Sequence, residues 1–272
     1  MTYRVVSIHG VPRSGTSWLG QIFDSHPDVA YRHQPLFAYR FKDRLTLQST
    51  AADVRRFLDE LYAVSDDEFI LDINRRTAAS QFWQSAVKTD TSGHLVMKMV
   101  RYHHLLPLFF ETIDSVKIIG IVRHPCAVIN SWLTAPKEFR PGWDAQEEWR
   151  LAPKKNAGRI EEFNGFEKWK EVARKFLRFE QAYPDSFSIV QYERLVSAPE
   201  DEAARLFSFA GLAMQQQTLD FIRYSHSKND PDPYAVVKDP GSYRRWETTL
   251  DPTIASEIIR ETQGTELERF LA

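Results

Sequence analysis

The segment of residues 5–19 constrains the fold of this chain more than any other. It begins as a short apolar run, passes through a loop bounded by Gly10 and Gly15, and continues into a stretch with helical character. Successive backbone N–H groups in such a loop, with the positive end of a helix dipole behind them, form an anion site. The segment therefore predicts a strand, a phosphate-binding loop and a helix.

The loop departs from that of a nucleoside triphosphatase in the position of its cation. The spacing from Gly10 to Gly15 is that of a P-loop, but Thr16 and Ser17 follow, where such an enzyme carries Lys and then Ser or Thr. The cation lies inside the loop instead, as Arg13. We expect its guanidinium to point at the atoms just beyond the terminal phosphate.

A second segment repeats the arrangement of strand, basic residue and helix. Residues 116–122 form a nearly continuous apolar run, which is typical of a strand buried on both faces of a parallel sheet. Arg123 follows this run, Pro125 suits the first turn of a helix, and Ser131 lies eight residues after Arg123. We expect both anion motifs at the carboxyl ends of parallel strands, where ligands bind in such sheets.

The remaining periodicity predicts one domain over residues 1–272 in the α/β class. Strands that alternate with helices imply a central parallel sheet with helices on both faces, a three-layer architecture. The predicted strands cover residues 4–9, 95–100, 116–122 and 187–191, and the predicted helices include 54–61, 127–133 and 167–179. Three segments are predicted to be irregular and to bind substrate: 31–42, 137–165 and 224–246.

Composition and charge restrict the functional classes. The chain has 35 basic and 37 acidic residues, and a net charge of −2 does not favour a nucleic-acid partner. It has no run of 18 apolar residues, and the first strand follows Met1 almost at once, so we expect no membrane span and no targeting segment. The single cysteine, Cys126, fits a reducing compartment, and we expect a cytoplasmic protein.

The loop after the first strand is similar to that of one enzyme family. Residues 12–19 match throughout the pattern Pro-(Lys/Arg)-Ser-Gly-Thr-(Ser/Thr)-Trp-Leu and resemble the sulfotransferases that use 3′-phosphoadenosine 5′-phosphosulfate (PAPS) as donor. The resemblance implies a P-loop-like fold in which Arg123 and Ser131 bind the 3′-phosphate, and in which Arg13 also stabilises charge on the transferring sulfuryl group. It implies that the 5′-phosphosulfate is held by Arg13, Ser14, Gly15, Thr16, Ser17 and Trp18.

Two later segments resemble further parts of the same family. Residues 191–195 are similar to a strand end at which a tyrosine approaches the adenine, here Tyr192; a core aromatic residue is the alternative. Residues 242–246 resemble the late Ser-x-x-(Lys/Arg)-Trp segment of carbohydrate-type members, which implies that Arg244 and Arg245 contact the donor phosphates. Solvated charges on a turn are the alternative there.

The resemblance leaves the base that deprotonates the acceptor open. Gln34 stands where carbohydrate-type members often carry the Glu of a Glu-Pro-Leu triplet; an amide cannot take a proton, so Gln34 is expected to orient the acceptor. Aryl-type members place a His shortly after a strand that ends in Lys, here Lys98, which favours His103 as the base before His33 and His104. Lys98 is expected to assist on the acceptor side. A water or a further carboxylate acting with Gln34 is the remaining alternative.

The charges at the strand ends also predict that no metal is required. Kinases place an Asp at the end of a neighbouring strand to hold Mg²⁺, whereas the predicted strands here end in Lys98 to Arg101 and in Arg123. A sulfuryl group carries less negative charge than a phosphoryl group, so fixed cations and N–H donors suffice.

The function that the resemblance implies is transfer of a sulfuryl group from PAPS to a hydroxyl or amine, with PAP as the product. The acceptor is expected to be a carbohydrate or another small molecule. A metal-dependent small-molecule kinase is one alternative, which Mg²⁺-dependent turnover of ATP would reveal. A nucleotide-binding relative without catalysis, suggested only by Gln34, is the other.

Overall fold

Five parallel strands form one sheet at the centre of the molecule. The computed structural model describes residues 2–227 and 243–272. The strands lie in the order β2-β3-β1-β4-β5. Their bounds are β1 Arg4–His9, β2 Val29–His33, β3 His94–Met99, β4 Lys117–Val122 and β5 Phe187–Gln191.

The register of the central strands brings their carboxyl ends to one edge of the sheet. His9, the last residue of β1, lies opposite Met99 of β3 on one side and Gly120 of β4 on the other. His33, the last residue of β2, lies opposite Lys98. Every residue that follows a strand therefore starts from the same edge, which is where ligands bind in open parallel sheets.

Fourteen helices are assigned within the described residues, and local signals set several of their ends. α2 begins with a capping box in which Thr50 and Asp53 bond each other's backbone N–H groups, and α11 ends at Gly211 in the left-handed region (φ 76°). The bounds are α1 Thr16–Asp24, α2 Ala51–Tyr62, α3 Ile73–Ala78, α4 Ser80–Trp83, α5 Leu106–Thr112, α6 Pro125–Leu133, α7 Ala145–Glu148, α8 Pro153–Asn156, α9 Phe166–Ala182, α10 Tyr192–Ser197, α11 Pro199–Ala210, α12 Gln216–His226, α13 Trp246–Thr249 and α14 Pro252–Thr262.

An apolar layer covers each face of the sheet. Within β4, Ile118 packs into one layer and Ile119 into the other, as the alternation of side chains along a strand requires. Helices α2, α5, α9 and α14 contribute to the first layer with Phe57, Phe109, Phe176 and Ile258. Helices α1, α11 and α12 contribute to the second with Leu19, Ile22, Phe207 and Phe221.

The observed structure confirms the predicted fold class and corrects two of the segments predicted to be irregular: the short helices α7 and α8 lie within residues 137–165, and β2 reaches into residues 31–42. The strands predicted at 4–9 and 187–191 have the predicted bounds, and those at 95–100 and 116–122 are shifted by one residue at one or both ends. The segment 31–42 was predicted to be irregular, but its first three residues belong to β2. Its Arg32 is buried because the guanidinium donates to four backbone carbonyls, a pairing that the sequence does not reveal.

The third segment predicted to be irregular, 224–246, is described only at its two ends. Its first residues complete α12, and Trp246 begins α13; the prolines and glycine at its centre lie outside the described residues. None of the helices in the two described ranges combines the length and the apolar character needed to cross a bilayer.

Candidate functional site

The loop between β1 and α1 has the backbone geometry of an anion cradle. Arg13 and Gly15 both have positive φ, at 74° and 91°, and the N–H of Ser14 bonds the carbonyl of Val11 at 3.2 Å. α1 begins at Thr16 without a side-chain cap. The N–H groups of its first turn are therefore positioned to bind an anion.

Tyr192 covers this loop at Gly15. A Cβ on Gly15 would lie 2.2 Å from Cδ2 of Tyr192, so only glycine fits at this position. Tyr192 is the first residue after β5, and the Arg123 guanidinium lies over its ring at 4.6 Å. Burial raises the pKa of the Tyr192 hydroxyl. The predicted adenine-side tyrosine and the predicted 3′-phosphate arginine therefore lie together beside the loop.

The two predicted anion motifs meet through direct hydrogen bonds. Arg13 Nε donates to Ser131 Oγ at 3.0 Å, and a terminal nitrogen of Arg123 donates to the Arg13 carbonyl at 3.1 Å. Two buried polar atoms beside these contacts, Arg123 Nε and Ser14 Oγ, have no hydrogen-bond partner within the described part of the chain. Buried polar groups are normally paired, so these two fit a ligand with anionic oxygens.

A carboxylate that the sequence reasoning missed also contacts the loop. Glu138 follows α6, and its Oε1 lies 3.4 Å from a terminal nitrogen of Arg13, with 23% of its side chain exposed. The sequence gives no signal for this contact, because Glu138 is one of many charged residues in the segment predicted to be irregular at 137–165.

Gln34 lies at the end of β2, and both ends of its amide are held. Its Nε2 is 3.0 Å from Nε2 of His33, and its Oε1 accepts a hydrogen bond from Arg101 at 3.1 Å. Arg101 also donates to Glu162 at 3.0 Å and lies over the half-exposed ring of Phe37 at 4.1 Å. The Gln34 side chain is thereby fixed at the strand edge, beside an aromatic ring that reaches solvent.

The His33 and Lys98 side chains are buried, and both residues contact Gln34, His33 through its ring and Lys98 through its backbone carbonyl. Burial lowers the pKa of His33 well below its usual value, and the charges of Lys98 and Arg75 add to this effect. Nδ1 of His33 is 3.6 Å from a carboxylate oxygen of Asp72. Burial likewise lowers the pKa of Lys98, helped by Arg75 and opposed by Asp72. Both groups are therefore held towards their neutral forms.

His103 lies in the core behind the loop. It is fully buried, its Nδ1 is 3.1 Å from Nδ1 of His9, and its ring contacts Phe163 and Phe176. Burial lowers the pKa of His103 well below its usual value. The neighbouring His104 is half-buried, and burial lowers its pKa as well. The structure therefore does not bring His103 to an accessible face of the site.

The late basic segment reaches the site through Trp246. The Trp246 ring stacks on His124, the residue directly after Arg123, with ring centroids 4.5 Å apart. Arg244 is exposed and donates to Glu247 at 2.7 Å, and the Arg245 carbonyl accepts from the Thr248 hydroxyl at 3.1 Å. Ser242 lies outside the described residues.

Metal ligands are not grouped in the part of the chain that the structure describes: no three His, Cys, Asp or Glu residues there are placed to hold an ion.

Two curated proteins resemble this chain over most of its length. A putative protein-tyrosine sulfotransferase of Caenorhabditis briggsae is 27% identical over 221 residues, which is 79% of this chain and 68% of that protein. Carbohydrate sulfotransferase 5 of Mus musculus is 24% identical over 77% of this chain and 64% of that protein. The chain thus spans about two thirds of the length of these relatives.

Solved structures share the fold. The sulfotransferase domain of the Synechococcus PCC 7002 olefin synthase superposes with a TM-score of 0.55 at 20% identity, covering 93% of this chain and 90% of that chain. A mouse sulfotransferase complexed with PAP gives 0.53 at 13% identity, covering 98% and 88%. The model of the family described as "Sulfotransferase family" matches residues 6–216, well over half of the sequence. This chain therefore belongs to the sulfotransferase family.

Proposed function

We propose that this chain transfers a sulfuryl group from PAPS to a hydroxyl group of an acceptor. One observation carries the proposal: the loop of residues 10–15, Arg123, Ser131 and Tyr192 meet at one edge of the sheet, joined by the Arg13–Ser131 and Arg123–Arg13 hydrogen bonds. The PAP carried by the mouse sulfotransferase of the same fold supports the class of nucleotide.

The donor is a substrate that supplies the sulfuryl group and a phosphate leaving group, and this chain supplies the contacts. The N–H groups of Gly15, Thr16, Ser17 and Trp18 and the hydroxyls of this stretch bind the 5′-phosphate end. Arg123 and Ser131 bind the 3′-phosphate with charge-assisted hydrogen bonds. Tyr192 packs at the adenine side, and Arg244 and Arg245 approach the phosphates from the late segment.

Arg13 carries the electrostatic part of the reaction. Its guanidinium stabilises the negative charge that develops on the oxygen between sulfur and phosphorus, as a fixed cation in a partly buried site does. Such a cation performs the task that Mg²⁺ has in kinases, so the proposal requires no metal.

Gln34 and Lys98 lie on the acceptor side. Gln34 orients the acceptor hydroxyl, because Arg101 and His33 fix its amide at the edge of the sheet. Lys98, which is buried near the end of β3, assists on the acceptor side. A base at His103 or His33 stays a prediction that their burial does not favour. The relatives named for carbohydrate and for protein tyrosine support a sugar or phenolic hydroxyl as the acceptor.

Cytoplasmic residence is a further part of the proposal. The only cysteine, Cys126, is buried, and burial raises the pKa of its thiol to about 12. A chain that forms no internal disulfide fits a reducing compartment.

Calorimetry with two nucleotides tests the donor assignment. We expect PAP to bind at least tenfold more tightly than 5′-AMP, because in this proposal Arg123 and Ser131 contact the nucleotide at its 3′-phosphate, and a charged contact of this kind contributes about 1.5–3 kcal/mol. Arg123→Met should remove most of this preference while it leaves the affinity for 5′-AMP within about threefold.

Equal affinities of the wild-type chain for the two nucleotides would refute the donor assignment. Turnover of ATP that depends on Mg²⁺ would favour the kinase alternative instead. Screening acceptor classes with ³⁵S-labelled PAPS, with and without EDTA, identifies the acceptor and tests metal independence together.

A further inference from the structure

The acceptor hydroxyl must lose its proton to a group within hydrogen-bond reach, and the contacts of Gln34, His33 and His103 do not favour these residues for that task. Gln34 carries an amide, which does not take a proton. Both ring nitrogens of His33 face other groups, Nε2 the Gln34 amide at 3.0 Å and Nδ1 the Asp72 carboxylate at 3.6 Å. His103 is fully buried between His9 and two phenylalanines.

Glu138 combines contact with the loop and access to solvent. The turn after α6 positions it, because its backbone N–H bonds the Ala135 carbonyl at 2.9 Å. Its Oε1 lies 3.4 Å from the guanidinium of Arg13, and 23% of its side chain is exposed. Arg13 also bonds Ser131, which belongs to α6. The short stretch from Ser131 to Glu138 therefore positions both the arginine and the carboxylate.

The Glu138 charge also acts on two lysine amines. Burial lowers the pKa of Lys98, at the end of β3, and the Glu138 charge is among those that oppose this shift. Burial also lowers the pKa of Lys155, where the Glu138 charge again opposes the shift and the Arg101 charge adds to it. The carboxylate is therefore near enough to both amines for its charge to act on them, and Arg101, which holds the Gln34 amide, acts on the same two amines.

We propose that Glu138 is the general base that deprotonates the acceptor hydroxyl. This inference rests on the proposed function. The acceptor O–H bond breaks and its proton goes to a Glu138 oxygen, while the oxygen's electron pair forms the new O–S bond. The S–O bond to the phosphate breaks, and its electron pair stays on the phosphate oxygen beside Arg13. Glu138 then releases the proton to water.

The first test measures binding and needs no turnover. Inorganic sulfate is titrated into the PAP-saturated wild-type chain, Glu138→Gln and Glu266→Gln, an exposed control that pairs with Arg174. Because a carboxylate that faces the sulfuryl position repels sulfate, Glu138→Gln should bind sulfate about fivefold to tenfold more tightly. PAP affinity should stay within threefold of wild type, and Glu266→Gln should match wild type for both anions.

The second test measures release of ³⁵S-sulfate from labelled PAPS with water as the acceptor. We expect Glu138→Gln to be at least 10²-fold slower than wild type, as for loss of a general base. Glu138→Asp, which keeps the carboxylate, should recover at least tenfold of that loss. Glu266→Gln should react at the wild-type rate.

Three results would overturn the assignment of Glu138. Sulfate affinity equal to wild type would show that the carboxylate does not face the sulfuryl position. Turnover of Glu138→Gln within threefold of wild type would show that another group takes the proton. Weakening of PAP binding by tenfold or more would show that Glu138 only supports the loop. A wild-type chain that does not prefer PAP over 5′-AMP would instead refute the proposed function itself.

Discussion

Two residues of the candidate site adopt backbone conformations that residues other than glycine rarely adopt. Arg13 has φ 74° in the loop after β1, and Gln34 has φ 43° directly after β2. Such conformations cost about 1–3 kcal/mol each and persist where the surrounding contacts hold them, often at functional sites. Their position at the carboxyl ends of two strands of the same sheet is consistent with roles on the donor and acceptor sides.

Loss of the Arg13 guanidinium should separate catalysis from binding. We expect Arg13→Ala to lower kcat by ~10² to 10³, because one preorganised electrostatic donor is lost. PAP affinity should fall less than tenfold, since Arg123 and the backbone N–H groups remain. Calorimetry and the ³⁵S assay measure the two effects on the same preparation. Near-normal turnover would show that the loop cation does not act in catalysis.

At the scale of single residues, the sequence predicts the site residues that lie in short motifs. It misses those whose position depends on contacts between distant parts of the chain. Arg13, Arg123 and Ser131 lie in fixed patterns after apolar runs, and the structure brings them into contact. Glu138 reaches Arg13 only because a turn follows α6, so no local pattern marks it. The burial of His103 likewise depends on its packing against His9, 94 residues away in the sequence.

Among the elements, strands and helices with strong periodicity were predicted well and the edge strand β2 was not. β4 is apolar and buried after its first residue, Lys117, because helices cover both of its faces. β2 includes Arg32 and His33, whose burial depends on carbonyls of residues 61–64 and on Asp72. Hydrophobic periodicity and composition describe only the strand's own residues. The carbonyls and the carboxylate that pair with Arg32 and His33 come from distant parts of the chain, so the sequence pattern does not reveal them.

The capping box of α2 gives a prediction for stability. We expect Thr50→Ala to lower the free energy of unfolding by about 1 kcal/mol, because the side chain of Thr50 accepts from the Asp53 N–H at the start of the helix. Urea denaturation measures the change. PAP affinity should be unaltered, since α2 contributes to the apolar layer and not to the loop. A change of less than 0.3 kcal/mol, about a third of the expected value, would contradict this account.

At the scale of the whole molecule, buried neutral histidines make stability depend on pH. Burial lowers the pKa of His9 to about 3, and it lowers the pKa of His33 and His103 well below the usual value. The unfolded chain protonates these rings near pH 6.5, so it binds more protons than the folded chain below that pH. Stability is therefore complete above about pH 6.5 and is lost as the pH falls.

Urea denaturation between pH 7.5 and pH 5 should show this loss. Each such histidine reduces the free energy of unfolding by about 1.4 kcal/mol per pH unit below 6.5, so His9 alone contributes about 2 kcal/mol at pH 5. His9→Asn should reduce the slope of stability against pH. A free energy of unfolding that is constant over this range would show that these rings are not held neutral in the folded chain.

The order of the strands has a consequence for how the acceptor specificity of this fold can evolve. Strands β1, β4 and β5 lead into the loop, Arg123 and Tyr192, whereas β2 and β3 lead into Gln34 and the residues after Lys98. Under the proposed function, we expect substitutions after β2 and β3 to alter the choice of acceptor and to leave the nucleotide contacts unchanged. Selection can then change which molecule is modified while the same donor is used.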